Sequence, residues 1–190
     1  MRKASLLALV CAAILASESH VEAQVPYIQA YYDEELSNNW DWCMDDQFRL
    51  LHFVLQGFNN WVIAVEFRVY YPPSVLWLGD NPPTPLRIGH SPSGISIAWN
   101  YPQNAFDPLV ILEVPIYYVC SKCTDRSATD SEQWIRIDPH PVTGLRAAVR
   151  WPELEVVALD WKPTVVSCTG TVPTHETTWG SVKALYGYGD

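Results

Sequence analysis

An all-β fold, an antiparallel β-sandwich of immunoglobulin-like or similar architecture closed by one short C-terminal helix, is what this sequence predicts. Three observations carry that reading. Apolar residues recur at period two along most of the chain, the spacing of a strand with one face buried. Clusters of Gly, Pro, Asn, Asp and Ser separate these runs at short intervals. Fifteen prolines in 190 residues exceed the usual share of about 5%, and they fall mostly between the runs, where they close off sheet edges.

The elements follow in order. Residues 24–32 form a first strand. Phe48 to Gln56 forms another, ending at the turn Gly57-Phe58-Asn59-Asn60. In the next run Trp61, Ile63, Val65, Phe67 and Val69 share one face and Glu66, Arg68 and Tyr70 the other. Ile95, Ile97 and Trp99 alternate with Ser96, Ala98 and Asn100, and Leu145, Ala147, Val149 and Trp151 with Arg146, Ala148 and Arg150. Residues 110–119 and 134–138 supply two more strands, and 155–159 reads as a strand buried on both sides. Pro115 inside a strand pattern places that strand at an edge or a bulge. Residues 71–90, with five prolines, form the longest connection, ordered for a purpose or mobile. Trp77 within it is either an exposed binding aromatic or a lid tucked onto the core, and burial of large aromatics favours the lid. The helix starts at Thr178 as N-cap, with Trp179, Val182 and Tyr186 at i, i+3 and i+7, Leu185 beside them, and Gly187 as the stop. So short a helix needs something to dock on, its own sandwich first and a partner second.

The start of the chain divides into a basic pair (Arg2, Lys3), an apolar stretch from Ser5 to Ala16 and a polar run ending Val21-Glu22-Ala23. That is the pattern of a cleaved signal peptide, residues 1–23. The apolar stretch is too short for a hydrocarbon core of about 30 Å. Residues 24–176 then form one disulfide-linked sandwich domain, and 177–190 the helix and tail. The expected location is secreted, periplasmic or at the cell surface. The formal net charge of −9, without a basic stripe, excludes nucleic acid as a partner, because affinity there depends on neutralising phosphates. No membrane span is expected after processing.

Four cysteines follow the leader: Cys43, Cys120, Cys123 and Cys168. An even count in an exported chain reads as two disulfides. The expected arrangement joins Cys43 to one member of the C-x-x-C pair and Cys168 to the other. A zinc site from these cysteines, or with His140 replacing one, is the competing reading, but one C-x-x-C pair is present where a zinc ribbon needs two.

Several pieces in fixed order carry a family resemblance: Trp42-Cys43, LLHFVLQGFNNWVIAVEFRV, Cys120-Ser121-Lys122-Cys123, Ile137-Asp138-Pro139-His140-Pro141, Val165-Val166-Ser167-Cys168 and Thr177-Thr178-Trp179-Gly180-Ser181-Val182-Lys183-Ala184-Leu185-Tyr186. Together they resemble a group of uncharacterised exported bacterial β-sandwich proteins, over most of the chain after the leader. The resemblance implies an extracytoplasmic location, a small β fold and nothing enzymatic. The basic residue usual after the final Leu-Tyr is replaced here by Gly187-Tyr188-Gly189-Asp190, so the tail departs from the group's pattern.

Chemistry candidates are few. His140 between Pro139 and Pro141 is presented on a rigid backbone, with Asp138 two residues earlier as a partner. It reads as a metal ligand or acid–base group, or more simply as a packed turn residue. Asp33, Glu34, Glu35, Asp41, Asp45 and Asp46 form an acidic cluster without the calcium-loop spacing. Nucleophile elbows, phosphate-binding glycine loops and dinucleotide fingerprints are absent from the sequence, and no cofactor is expected. Nine Trp, ten Tyr and five Phe are the compositional oddity. Tyr31, Tyr32, Trp40, Trp42, Tyr70, Tyr71, Trp77, Trp99, Tyr101, Trp151 and Trp161 sit near turns, where aromatic faces suit a glycan or a protein partner. Trp77, Trp99, Tyr101, His140 and Asp138 are the candidate binding residues, and Trp179, Val182, Leu185 and Tyr186 the candidate docking stripe. The function expected is therefore binding or structural, with a metal-dependent hydrolase built on His140 as the alternative. Self-association through residues 110–119 or the helix is a further expectation.

Overall fold

Alternation of apolar and polar residues produces strands nearly everywhere the pattern is clean. The computed structural model describes residues 25–43, 46–84, 86–119 and 132–167. The leader, Cys120, Cys123, Cys168 and the stretch carrying Trp179, Val182, Leu185 and Tyr186 lie outside the described residues, and so does the expected helix. Thirteen strands run through the described part: β1 (Tyr27–Tyr31), β2 (Trp40–Trp42), β3 (Phe48–Gln56), β4 (Trp61–Tyr70), β5 (Val75–Trp77), β6 (Arg87–His90), β7 (Gly94–Asn104), β8 (Leu109–Tyr118), β9 (Glu132–Asp138), β10 (Ala147–Trp151), β11 (Val156–Ala158), β12 (Asp160–Trp161) and β13 (Thr164–Ser167). Among the described residues there is no helix, and so none long and apolar enough to cross a membrane.

The strands form two layers. One sheet has the order β12-β1-β3-β8-β5. The other runs β11-β10-β4-β9-β13-β2, with β7 paired to β4 and β6 to β7. Most pairs are antiparallel, as expected, but β1 with β12 and β13 with β2 are parallel. Leu51, Phe53 and Leu55 of β3 and Leu112, Val114, Ile116 and Tyr118 of β8 face the core from the first sheet. Val65, Phe67 and Val69 of β4, Ile95, Ile97 and Trp99 of β7, and Ile135 and Ile137 of β9 meet them from the second. The rings of Phe53 and Phe67 stack across the layers at 6.2 Å.

Strand β4 departs from strict alternation. Val65, Phe67 and Val69 point inward as expected, but so does Val62, while Trp61 is 44% exposed. Opposite β7 the pairing jumps from Val62↔Gln103 to Ala64↔Ala98, and opposite β10 from Val149↔Ala64 to Arg150↔Val62. Ile63 is therefore skipped on both sides. A one-residue slip in a period-two element moves every later side chain to the other face, and this slip turns Trp61 outward.

The expectation of a doubly buried strand at 155–159 fails. β11 pairs only with β10, and Val156 and Ala158 are exposed, because an edge strand has one neighbour. Pro115 pairs with Leu50 on β3. On its other side β5 has ended, and only Leu78 N–H reaches the Pro115 carbonyl. The missing N–H thus falls where no ladder bond is required.

Residues 71–90 are organised around one carboxylate. The Asp80 side chain has 0% exposure. It accepts hydrogen bonds from Trp77 Nε1 (3.0 Å), Ser91 N–H (2.8 Å) and Ser91 Oγ (2.6 Å), and His90 Nδ1 stands 3.6 Å away. Tyr71 and Ser91 share a hydrogen bond of 2.9 Å. A buried charge persists only when its acceptor capacity is filled by donors, and here the donors come from Trp77 within the segment and from Ser91 just past its end. Asp80→Ala orphans Trp77 Nε1 and the Ser91 N–H, so chemical denaturation is expected to show a loss of about 3 kcal/mol, against less than about 1 kcal/mol for a surface carboxylate such as Glu153→Ala.

Three buried phenols add a second polar feature. Tyr118 donates to Asp41 Oδ2 (3.2 Å), which also holds Arg49 Nε at 2.6 Å, tying β2 to β3 and β8. Burial raises the Tyr32, Tyr71 and Tyr118 phenols far above the ordinary 10.0. The unfolded chain then releases these protons first, so their contribution is complete below about pH 10 and is lost as pH rises beyond it. Thermal unfolding followed between pH 8 and pH 11 should show a plateau and then a falling midpoint, with a shallower fall in Tyr118→Phe.

Candidate functional site

The outward turn of Trp61 assembles a cleft at one end of the β10-β4-β7 part of the larger sheet. Trp61 lies opposite Trp151 of β10 and opposite Asn104 of β7. The slip that skips Ile63 also sets six residues of β7, from Ala98 to Gln103, against three of β4, from Val62 to Ala64. That excess length pushes Asn100, Tyr101 and Pro102 out of the ladder. Trp61, Pro102, Trp151 and Pro152 then line an open cleft of about 430 Å3. Trp151 is 41%, Phe106 56% and Tyr101 71% exposed. The edge of one ring meets the face of the other between Trp61 and Phe106, at 6.4 Å and 84°, an arrangement aromatic pairs favour.

The cleft stands on a firm base. Phe58 is buried beneath the turn that precedes Trp61. Asn59 N–H donates to Ala105 O and Ala105 N–H to Asn60 O. The Arg150 guanidinium lies 6.0 Å from the Phe58 ring and pairs with Glu155 at 2.8 Å. Three amides neighbour the lining residues along the chain or across the ladder. Asn60 Oδ1 accepts from Trp61 N–H (2.7 Å), Asn104 Oδ1 from Phe106 N–H (3.0 Å), and Gln103 Nε2 donates to Tyr101 O (2.9 Å). Each amide is fixed through one end, and its other polar atom has no partner among the described residues. Among the described residues no ionisable side chain lines the cleft.

The other candidates have different places. Trp99, 7% exposed, belongs to the core. Trp77 is partly buried, holds Asp80 and meets the His90 ring at 5.6 Å, the lid arrangement. His140 packs against Gly94, where an added Cβ would come within 2.9 Å of its ring. Its Nδ1 accepts from Val142 N–H at 3.3 Å. Asp138 faces Arg68 at 3.1 Å and Arg136 at 4.0 Å. Among the described residues no group of three metal-ligating side chains comes together. Cys43 is buried, and its N–H donates 2.9 Å to Ser167 O. None of the candidate binding residues lines the cleft; Tyr101, which is exposed, precedes the lining residue Pro102. Trp61 was missed because strict alternation assigns it to the core, whereas Pro102 within a strand run was a readable sign of a bulge.

A second polar cleft, about 530 Å3, is lined by Asp80, Asn81, Pro82, Pro83, Thr84 and Arg87. Arg87 Nη1 there donates to the Asp80 carbonyl at 2.7 Å.

No family model and no curated protein matches the chain. Among solved structures, the seventh ScaB type I cohesin from Pseudobacteroides cellulosolvens is similar at a TM-score of 0.49 and 9% identity, over 81% of this chain and 98% of that one.

Proposed function

We propose that this chain is an exported, non-catalytic β-sandwich that binds a partner at the cell surface through the Trp61–Trp151 cleft. The observation that carries the reading is that cleft: two tryptophans on neighbouring strands, held outward by a register slip, with Phe106 against Trp61. Burying such rings is worth far more than burying small side chains, so tryptophans left exposed and rigid are typical anchors of recognition. Preorganisation adds to this, because the cleft needs little ordering on binding. The N-terminal pattern supports export, and the burial of Cys43 supports the cysteines acting as structural crosslinks.

The test is retention of the purified chain on the insoluble envelope of the cells that make it. The double variant Trp61→Ala with Trp151→Ala should lose about tenfold in retention. Because both rings are partly exposed, its unfolding midpoint should move little. Undiminished retention of the folded double variant overturns the proposal.

A further inference from the structure

We infer that the occupant of the Trp61–Trp151 cleft is an uncharged glycan, whose sugar rings stack on the tryptophan faces; this rests on the binding role proposed above. Four observations select that chemistry. The first is size. A cleft of about 430 Å3 lies in the range of small-ligand sites, roughly 300–1,000 Å3. A stable protein interface needs about 800 Å2 from each partner, more than these partly exposed rings supply.

The second is charge. Trp61, Pro102, Trp151 and Pro152 carry none, and the nearby Arg150 is paired with Glu155. The chain as a whole is at −9. An acidic polysaccharide would meet no cation in the cleft and repulsion around it. A basic one would find no carboxylate in the lining.

The third is the character of the walls. A pyranose presents one face of C–H bonds with partial positive charge, which suits the negative face of an indole. Two indoles on adjacent strands offer such faces side by side. The fourth is the polar trim. Sugar hydroxyls donate and accept at once, so they are matched by groups that do both without charge. Asn60, next to Trp61, and Asn104, opposite it, each keep an Nδ2 donor, while the Oδ1 of each amide is fixed to the backbone. The indole N–H groups of Trp61 and Trp151 likewise have no partner among the described residues.

The experiment titrates the chain with neutral gluco-, manno-, xylo- and chito-oligosaccharides and with oligogalacturonate, reading tryptophan fluorescence. At least one neutral series should shift the emission saturably. Trp61→Ala and Trp151→Ala should each weaken that binding about tenfold, and Trp61→Phe should restore part of it. Trp134→Ala, an exposed tryptophan elsewhere, should leave it unchanged. Stronger response to oligogalacturonate, or neutral binding indifferent to both cleft variants, overturns the inference. Silence from every neutral series also overturns it. The envelope assay separates this failure from failure of the binding role. Retention that needs Trp61 and Trp151, survives periodate oxidation of the envelope and is abolished by protease identifies a protein partner. It thereby sinks the glycan inference while the binding role stands.

Discussion

Ile63 has no cross-strand partner on either side, and the form of the outer surface follows from that. Had alternation continued unbroken, Trp61 would face the core with Val65, Phe67 and Val69, and β7 would run flush beside β4. Instead the inner face restarts at Val62, and the strand end behind it is free to carry a different surface. A bulge is often placed where a sheet must re-aim a side chain. Here it re-aims an indole and displaces the Asn100-Tyr101-Pro102 segment of the neighbouring strand.

The rest of the molecule makes this possible by being rigid elsewhere. The stacked Phe53 and Phe67 rings mark a core filled from both sheets. The long proline-rich segment does not float over that core, because the Asp80 carboxylate gathers Trp77 and Ser91 around itself. The Tyr118–Asp41–Arg49 contact fastens the short strand β2 to the opposite layer. These buried polar groups are satisfied by geometry that a loosely packed chain could not maintain.

Much of this was legible from residue order. β8 and the inward residues of β7 follow their alternation closely, since each is long and has neighbours on both sides, whereas β3 is buried without a break from Leu51 to Leu55. The short strands β2, β5, β6, β12 and β13 have too few residues for a period to be read, and they exist because a longer strand offers them a free edge. Residues 155–159 misled because an apolar run does not reveal whether one neighbour or two will cover it. The site was harder. Nothing in Trp61-Val62-Ile63-Ala64-Val65 announces a skipped residue, as each side chain there suits a strand. Trp99 and Tyr101, two residues apart, looked equivalent in order along the chain; the bulge sends one inward and leaves the other in solvent. His140 behaves as a proline-flanked turn residue would, its ring laid on Gly94.

The parallel pairing of β1 with β12 has a consequence for how the chain reaches this form. Tyr27 and Ile28 are matched to Asp160 and Trp161, and Thr164 Oγ1 donates to Ala30 O across 134 positions. The outer edge of the first strand is therefore completed by residues far downstream in the chain. Contacts so distant along the chain form late and slowly. Until the segment carrying β12 and Thr164 is in place, β1 has only β3 beside it.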